Sequence, residues 1–277
     1  MKVYREVGLH IRSIFKRYTD KVEPVSIDEA YLDVTEPKRG PASGTLLARA
    51  IKQDVLKETG LTVSVGVAAG KFYAKLASGI DKLGGLTVIT PEDTLKVLAD
   101  LPVDKFHGVG PVTANKLIKA DIHTGADLKA CPVERLEQHL GSFGVFLHAV
   151  ANGIDERPVK PRVRKSYGSE RTVYPALRSA EKVFAALAPL CEEVANYLGE
   201  AELQARTLTL KLKDVHYRVH TRSVTPVTPL SQAVQLRLHA NLLLKANREL
   251  LPVKLAGISV KGLEAKSSVT QPVLLRP

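Results

Sequence analysis

This sequence has few cysteines, no long hydrophobic run and fewer acidic than basic residues. Its 277 residues include two cysteines, Cys131 and Cys191, which have no CxxC partner and no Cys/His neighbours. Isolated cysteines of this kind argue against a disulfide framework and a zinc site, and they fit a reducing, cytoplasmic setting. No apolar stretch reaches the roughly 18 residues of a membrane span. The N-terminal residues carry charges at helical spacing, so no signal peptide is predicted.

Positive charge is in excess and unevenly spread along the chain. The 40 Lys and Arg outnumber the 29 Asp and Glu, which gives a formal net charge of +11 and a pI of about 9.6. Residues 165–277 hold 16 basic and 9 acidic residues, against 24 and 20 in residues 1–164. A basic excess weighted toward one region favours a polyanionic partner, most often nucleic acid. Aromatic residues make up only 5% of the chain, so base stacking is not predicted as a main mode of recognition.

Two adjacent carboxylates, Asp28 and Glu29, interrupt the strand-forming residues of SIDEAYLDVT. The flanking runs, 22–27 and 30–34, are predicted strands. A solvated turn is the usual explanation for such a pair. The alternative is a divalent-cation site, because a bound cation removes the repulsion between like charges. Since neighbouring side chains of a strand point to opposite faces, that alternative requires a tight hairpin bend.

The rest of the first 90 residues alternates helices and strands, which indicates helices covering one face of a sheet. The predicted elements are helices over 2–19 and 43–59 and from 70, and strands from 61 and from 86. Lys71 and Lys75 share one helix face, and the favoured interpretation is an ordinary solvated helix. Lys82, in the glycine-rich turn DKLGG, is better placed to contact an anionic ligand beside the acidic hairpin.

Residues 91–152 show no strand pattern, which predicts a small all-α module. Within it, FHGVGPVTANKL places Gly108 and Gly110 between two short helical stretches. Such a helix-hairpin-helix lets the backbone approach a phosphate at a helix N-terminus, whereas the alternative is an ordinary helical turn. The Pro-rich and basic stretch that follows, 158–166, is predicted to be a linker.

The last third runs strand, helix, strand, strand, helix, strand, which predicts a split αβ domain with one sheet face covered by helices and one open. Its first helix contains Pro189, which is expected to bend or interrupt it. Period-two alternation is expected to place cations and hydroxyls on the open face, where they suit phosphate oxygens. The expected open-face residues are Thr207, Thr209, Lys211, Lys213, Arg218 and Arg222. An ordinary solvated β face is the alternative.

The order of these features resembles the Y-family translesion DNA polymerases, most closely the bacterial DNA polymerase IV (DinB) type. The resemblance rests on SIDEAYLD, SVGVAAGKFYAKLASGIDKLGG, FHGVGPVTANKL, ANGIDERPV and RKSYGSERT, and it covers essentially the whole chain. It implies an α+β multidomain protein. The implied domains are a partial palm over 1–90, an all-α helix-hairpin-helix thumb over 91–157, a linker over 158–166, an αβ little finger with an open sheet face over 167–266 and a C-terminal tail over 267–277.

The resemblance also implies an enzyme that adds dNTPs to a primer 3′-OH on a DNA template, past damaged bases, by two-metal phosphoryl transfer. Asp28 and Glu29 match catalytic carboxylates that hold two Mg²⁺ ions, and Lys82 matches a lysine on the incoming triphosphate. The implied DNA contacts are Gly108, Gly110, Lys165, Lys211, Lys213, Arg218 and Arg222. The tail QPVLLRP resembles a sliding-clamp peptide anchored by Gln271, Leu274 and Leu275. Primer-template DNA, dNTP and the clamp are thus the expected partners of a monomer without membrane contact.

The sequence departs from the family pattern at its start. The family opens with a βαβ segment that carries a third metal-binding aspartate, a steric-gate aromatic and a Tyr/Arg pair, and none of these precedes Met1. The chain is therefore expected to begin inside the palm, without the first palm strands and the fingers, and with an incomplete two-metal site. Two alternatives to a catalytic polymerase stay open. One is a shortened, non-catalytic relative that binds DNA and the clamp, and the other is a basic αβ protein unrelated to DNA.

Overall fold

The computed structural model describes residues 2–266 and divides the chain into two compact units. Unit 1 runs from Met1 to Arg162 and unit 2 from Val163 to Pro277, so the division falls inside the stretch predicted to be a linker. Each unit has buried hydrophobic side chains of its own. Across residues 2–266, no helix combines the length and the apolar character needed to cross a membrane.

The first part of unit 1 contains two pairs of short strands together with helices. Its elements are α1 Lys2–Phe15, β1 Val22–Pro24, β2 Ala30–Leu32, α2 Gly44–Thr59, β3 Val65–Ala68, α3 Lys71–Ile80 and β4 Leu86–Ile89. β1 and β2 form an antiparallel pair, whereas β3 and β4 are parallel and are connected through α3. Ile14, Leu47 and Val55 are fully buried where α1 and α2 pack together. The predicted order of elements is confirmed, with strands shorter than expected.

Local sequence explains where α2 begins and ends, whereas the end of α1 involves a contact with a distant residue. The Ser43 side chain accepts a backbone hydrogen bond at the start of α2, and Gly60 ends the helix at a left-handed φ of 69°. The predicted extent of α2 is therefore confirmed. In contrast, α1 ends at Phe15 rather than at residue 19. The chain turns there because Tyr18 is buried, with its hydroxyl donating to Asp54 Oδ2 at 2.8 Å.

The segment 91–152 is helical, apart from one isolated bridge between Pro102 and Thr124. Its elements are α4 Pro91–Ala99, a 3-10 turn Val103–Lys105, α5 Pro111–Lys119, α6 Gly125–Ala130, α7 Val133–Leu140 and α8 Ser142–Ala151. The all-α prediction for this segment is confirmed. Its core continues into α3, since Phe72 is fully buried with its ring centre 5.4 Å from that of Phe106.

Unit 2 is a four-stranded antiparallel sheet with two helices. Its elements are β5 Ser166–Leu177, α9 Ala180–Glu200, β6 Leu203–Asp214, β7 Val219–Val224, α10 Ala233–Lys245, a 3-10 turn Arg248–Leu250 and β8 Val253–Ala265. The strands lie in the order β5-β8-β6-β7. Both helices pack on the face that carries Leu208, Leu210 and Leu212, each at most 1% exposed. The predicted element order and the helix-covered face are confirmed.

Helix α9 continues through Pro189 without a break. Of the two outcomes expected for this proline, interruption of the helix is therefore wrong. Proline removes one backbone hydrogen bond from a helix interior. That loss is offset by burial of the apolar stripe along the helix, which holds both halves against the sheet. The stripe residues are at most 2% exposed, and they are Val183, Leu187, Leu190, Val194 and Leu198.

Candidate active site and nucleic-acid interface

The acidic hairpin between β1 and β2 presents two exposed carboxylates at a tight bend. Val25 N donates to Glu29 O at 2.9 Å, which closes the connection between the strands. The bend includes Asp28, whose Oδ1 accepts a hydrogen bond from Ser26 Oγ at 2.5 Å. Asp28 and Glu29 are both exposed, as ligands of an incoming ion must be. The bend that a shared cation site would need is therefore present.

Helix α3 faces this hairpin with two lysines that are paired with its acids. Lys75 Nζ lies 2.6 Å from Glu29 Oε1, and Lys71 Nζ lies 2.8 and 3.0 Å from the two oxygens of Glu23. Only 12% of the Lys71 side chain and 23% of the Lys75 side chain are exposed. The interpretation of these lysines as an ordinary solvated face is therefore wrong. The sequence signal for this pairing was the spacing of the two lysines, four residues apart on one helix face, in a chain that also has an acidic hairpin.

The chain after α8 is also hydrogen-bonded to the acidic hairpin. Lys160 N donates to Glu23 Oε2 at 3.0 Å, and Arg162 Nη1 donates to Val25 O at 3.1 Å. Burial alone would raise the pKa of Glu23, but the hydrogen bonds from Lys71 and from the Lys160 backbone lower it below its usual value. Glu23 therefore stays charged. Its carboxylate links β1 to α3, through Lys71, and to the chain after α8, through the backbone of Lys160.

Asp155 is the buried acid that fixes the start of α3, and sequence reasoning missed it. Its side chain is fully buried, and Oδ2 accepts from Phe72 N at 2.7 Å, where Gly70 supplies no capping side chain. Arg157 donates to the same carboxylate from Nε at 2.6 Å and from Nη2 at 2.9 Å. Burial would raise the pKa of Asp155, but these donors lower it below the usual value. The only signal was its place in the motif ANGIDERPV.

Lys82, the predicted triphosphate ligand, lies in the turn between α3 and β4. It is exposed and forms no hydrogen bond or ion pair with any residue in the range 2–266. The turn itself is held from α2, because Lys52 Nζ donates to Val63 O at 2.8 Å, to Gly85 O at 3.0 Å and to Gly84 O. The lysines that contact the acidic hairpin are thus Lys71 and Lys75, and Lys82 remains free to meet an external anion.

The carboxylates of the hairpin do not form a complete metal cluster by themselves. Within residues 2–266, no group of three or more His, Cys, Asp and Glu side chains is arranged to hold a metal ion. Asp28 and Glu29 can contribute oxygen ligands, which Mg²⁺ prefers, but they are two among the several that the ion requires. Their arrangement fits part of a cation site.

The glycine hairpin before α5 presents a helix N-terminus without a side-chain cap. Gly108 has a left-handed φ of 94°, and a Cβ there would lie 3.3 Å from the Phe143 ring, so both backbone and space favour glycine. Gly110 precedes Pro111 at the start of α5, and no side chain caps the helix. The first helix of the predicted motif is reduced to the 3-10 turn at 103–105. Backbone N–H groups at such an end favour an anion.

The register between β6 and β7 decides which cations reach the open face of unit 2. Residues paired across antiparallel strands point to the same side. Lys211 pairs with Thr221, whereas Leu210 pairs with Arg222. Arg222 therefore lies on the helix-covered side, and its Nε donates to Asn247 Oδ1 at 2.6 Å. The prediction that Arg222 projects from the open face is wrong.

Arg218 also departs from its predicted position. It lies in the connection 215–218, and both its backbone N and its Nε donate to the Asp214 carboxylate at 3.0 Å. This four-residue connection brings odd-numbered residues of β7 opposite odd-numbered residues of β6. Even-numbered arginines consequently fall on the side of the buried leucines. The prediction of alternating faces within each strand is therefore correct. The prediction of which β7 residues share a face with Lys211 and Lys213 is wrong.

The open face itself carries lysines and hydroxyls. Lys211 and Lys213 lie on it as predicted, and Lys211 is paired with Glu170 at 2.7 Å. Thr209 shares a 2.8 Å hydrogen bond with Ser223, and Thr207 is buried at 8% exposure. Sequence reasoning missed the exposed Lys261, which the register places opposite Thr207. Lys165, next to β5, is also exposed.

Comparison with known proteins decides the family of this chain. Residues 1–79 match the sequence model of the impB/mucB/samB family, and residues 164–272 match that of its C-terminal domain. The chain is 42% identical over 263 residues to a DNA polymerase IV of Alkalilimnicola ehrlichii, covering 94% of this chain and 74% of the relative. A DNA polymerase IV of Streptococcus pyogenes is also 42% identical, over 265 residues, with 95% and 73% covered.

Solved structures agree with these relatives. A Y-family DNA polymerase chimera of Dbh and Dpo4 matches with a TM-score of 0.87 at 26% identity, covering 95% of this chain and 77% of that one. DinB from Sulfolobus solfataricus matches with a TM-score of 0.57 at 27% identity, covering 94% and 76%. The chain belongs to the Y-family DNA polymerases, of the DNA polymerase IV type. The family consists of DNA-directed DNA polymerases of translesion synthesis and DNA repair, and it uses divalent metal ions.

The two lysines of α3 in this Y-family chain are expected to differ in their effect on stability. Lys71→Gln should lower the free energy of unfolding by about 1–2 kcal/mol, because it leaves the partly buried Glu23 without its main partner. Lys75→Gln should cost less than about 0.5 kcal/mol, since Glu29 is more exposed. Urea unfolding followed by circular dichroism measures both variants. Equal losses in the two would contradict this assignment.

Three further residues of the predicted polymerase IV pattern lie outside the described residues. They are the clamp anchors Gln271, Leu274 and Leu275, which fall beyond residue 266. The short tail motif therefore rests on the sequence pattern alone.

Proposed function

We propose that this chain carries out template-directed addition of dNTPs to a primer 3′-OH, with Asp28 and Glu29 as ligands of two Mg²⁺ ions. The observation that carries the proposal is the pair of exposed carboxylates at the β1–β2 bend, held beside α3 by paired lysines. Exposed oxygen ligands on an anchored bend suit a hard divalent cation. Bound Mg²⁺ supplies activation of a hydroxyl nucleophile and neutralisation of a pyrophosphate leaving group.

The protein side chains around this site have separate proposed tasks. Asp28 and Glu29 hold the ions, and Lys75 neutralises Glu29 when no ion is present, since its Nζ lies 2.6 Å away. Lys82, exposed and without a partner in residues 2–266, contacts the triphosphate of the incoming nucleotide. Asp155 positions the site indirectly, because it anchors the N-terminus of α3. In this assignment residues 1–90 form the partial palm.

The proposed DNA-binding surfaces lie one in each unit. In residues 91–157, the proposed thumb, the hairpin at Gly108 and Gly110 and the uncapped start of α5 would bind backbone phosphates. In residues 167–266, the proposed little finger, Lys211, Lys213 and Lys261 of the open face would do the same, with Lys165 beside β5. These phosphate contacts do not depend on the base sequence of the DNA, which suits a polymerase that accepts varied templates.

The salt dependence of duplex binding tests the open-face assignment. Each phosphate contact contributes about 0.9 to the slope of log affinity against log salt concentration. Lys211→Ala and Lys261→Ala should each lower the magnitude of that slope by up to about 0.9. Arg222→Ala is the matched control, because its side chain lies on the helix-covered side, and it should leave the slope unchanged. A reduced slope for Arg222→Ala alone would contradict the register-based assignment. Fluorescence anisotropy with a labelled duplex provides the measurement.

A second candidate function is DNA and clamp binding without catalysis. It is favoured by the absence, within residues 2–266, of a third metal-ligating side chain beside Asp28 and Glu29. In this function the tail residues Gln271, Leu274 and Leu275 would attach the chain to a sliding clamp, and the two surfaces described above would hold primer-template DNA.

Primer extension by the full chain distinguishes the two functions. The chain is incubated with a primer-template, dNTPs and Mg²⁺, and duplex binding is measured in parallel. Mg²⁺-dependent extension supports the polymerase proposal. Salt-sensitive duplex binding with no incorporation, in Mg²⁺ or Mn²⁺, supports the binding function instead. Absence of both would overturn the two proposals together.

A further inference from the structure

One end of the unit 2 sheet carries two exposed tyrosine rings beside a cleft of about 270 Å³. Tyr174 is 98% exposed and Tyr217 is 67% exposed. The cleft is lined by these two and by Thr172, Val173, Lys213, Lys254 and Leu255, and we call it the tyrosine cleft. Burial of these rings would stabilise the fold and their exposure does not, which points to a binding role for them.

A buried carboxylate builds the loop that holds Tyr217 outward. Asp214 is only 7% exposed and accepts backbone hydrogen bonds from His216 N at 2.8 Å and Arg218 N at 3.0 Å. It also accepts from Arg218 Nε at 3.0 Å and contacts His220 Nε2 at 3.1 Å. Tyr217 between them has a left-handed φ of 65°, which is uncommon for a bulky residue and is found where the surrounding structure imposes it. The ring position is thus preorganised.

Positive charge accompanies the rings. Lys254 Nζ lies 4.4 Å from the centre of the Tyr217 ring and 3.4 Å from its hydroxyl. Lys213 pairs with Leu255, and Leu255 pairs in turn with Thr172, so these three continue the open face into the cleft. The neighbouring acid, Asp214, is buried and fully engaged. The cleft therefore offers two lysines and two aromatic faces, which favours an anionic partner with flat rings.

We propose that the tyrosine cleft binds single-stranded DNA, with an unpaired base stacked on Tyr217 or Tyr174 and with Lys213 and Lys254 contacting the flanking phosphates. The volume of about 270 Å³ lies near the lower end of the range for ligand pockets, which leaves room for one base. Stacking of bases on aromatic side chains, with a cationic track for the backbone, is the general mode of sequence-independent single-strand binding. The proposal rests on the proposed function, in which the unpaired strand is the template overhang.

The test measures binding of the full chain to a labelled oligothymidylate of about 12 nucleotides and, separately, to a blunt duplex. Tyr217→Ala, or the double variant with Tyr174→Ala, should weaken binding of the oligothymidylate roughly tenfold and leave duplex binding unchanged. Tyr217→Phe should retain the affinity, because phenylalanine can also stack. Tyr4→Ala is the matched control, since Tyr4 is 70% exposed and lies in unit 1.

A second readout keeps the test independent of folding defects. The chain contains no tryptophan, so its intrinsic emission comes from its 8 tyrosines. Oligothymidylate should quench that emission, and in Tyr217→Phe the quenching should fall while binding persists. Parental affinity in the double alanine variant, or unchanged quenching in both Tyr217→Phe and Tyr174→Phe, would overturn the proposal. Failure of duplex binding and primer extension, with the single-strand results intact, would contradict only the proposed polymerase function.

Discussion

Replacing Asp28 with Asn or Glu29 with Gln is expected to reduce Mg²⁺-dependent nucleotide incorporation by the chain at least about a thousandfold. A metal ion contributes several kcal/mol to phosphoryl transfer, and each 1.36 kcal/mol corresponds to about a factor of ten in rate. The amides keep the shape of the carboxylates but remove the charge that attracts the cation. Single-turnover primer extension at saturating DNA measures the loss in the chemical step.

The same variants should keep the DNA affinity of the parent, because the carboxylates lie on the acidic hairpin and not on the proposed phosphate-binding surfaces. Glu36→Gln is the matched control, since Glu36 is also an exposed acid of unit 1. Binding of Mn²⁺, followed by its electron paramagnetic resonance signal, gives a readout that does not require activity. Parental incorporation and parental Mn²⁺ affinity in Asp28→Asn would exclude the assigned site.

Asp155→Ala is expected to cause the largest loss of stability among the substitutions considered, about 2–3 kcal/mol in unit 1. The substitution removes the cap of α3 and leaves Arg157 without its partner. Since α3 also carries Lys71 and Lys75, fraying of its first turn should loosen the acidic hairpin as well. Thermal unfolding by circular dichroism measures the loss.

The pH dependence of this effect follows from the lowered pKa of Asp155. A carboxyl whose pKa is lower in the folded than in the unfolded state stabilises the fold above its unfolded pKa, and that contribution is lost as the pH falls through the folded pKa. The difference in stability between parent and Asp155→Ala should therefore be full at neutral pH and shrink in acid. Asp20→Ala, at a side chain 79% exposed, should show little difference at any pH. A pH-independent difference for Asp155→Ala would contradict the role of its charge.

Features set by local interactions could be predicted closely. The bounds of α2 follow from Ser43 and Gly60, and the burial of Leu208, Leu210 and Leu212 follows from alternation along one strand. Helix caps and period-two patterns depend on residues within a few positions of one another. The acidic hairpin was predictable for the same reason, because its strands are joined by a short bend.

Features set by distant residues could not be predicted this way. Arg222 was wrongly predicted to lie on the open face, because its face depends on the register between two strands. That register depends on how residues 215–218 close the turn. The role of Asp155 needed contact with Phe72, a residue 83 positions earlier in the chain. The pairing of Lys75 with Glu29 likewise spans 46 positions. Periodic patterns in a sequence do not reveal contacts between residues so far apart in the chain.

The sequence by itself determined the family, the order of helices and strands and the two carboxylates at the acidic bend, because each depends on residue identities and on neighbours in the chain. Only the tertiary structure decided which lysines meet those carboxylates, which cations share the open sheet face and where Tyr174 and Tyr217 come together. Those outcomes depend on strand register and on helix packing, which bring residues from remote segments of the chain together. A one-residue change of register would have exchanged the two faces without altering any local pattern.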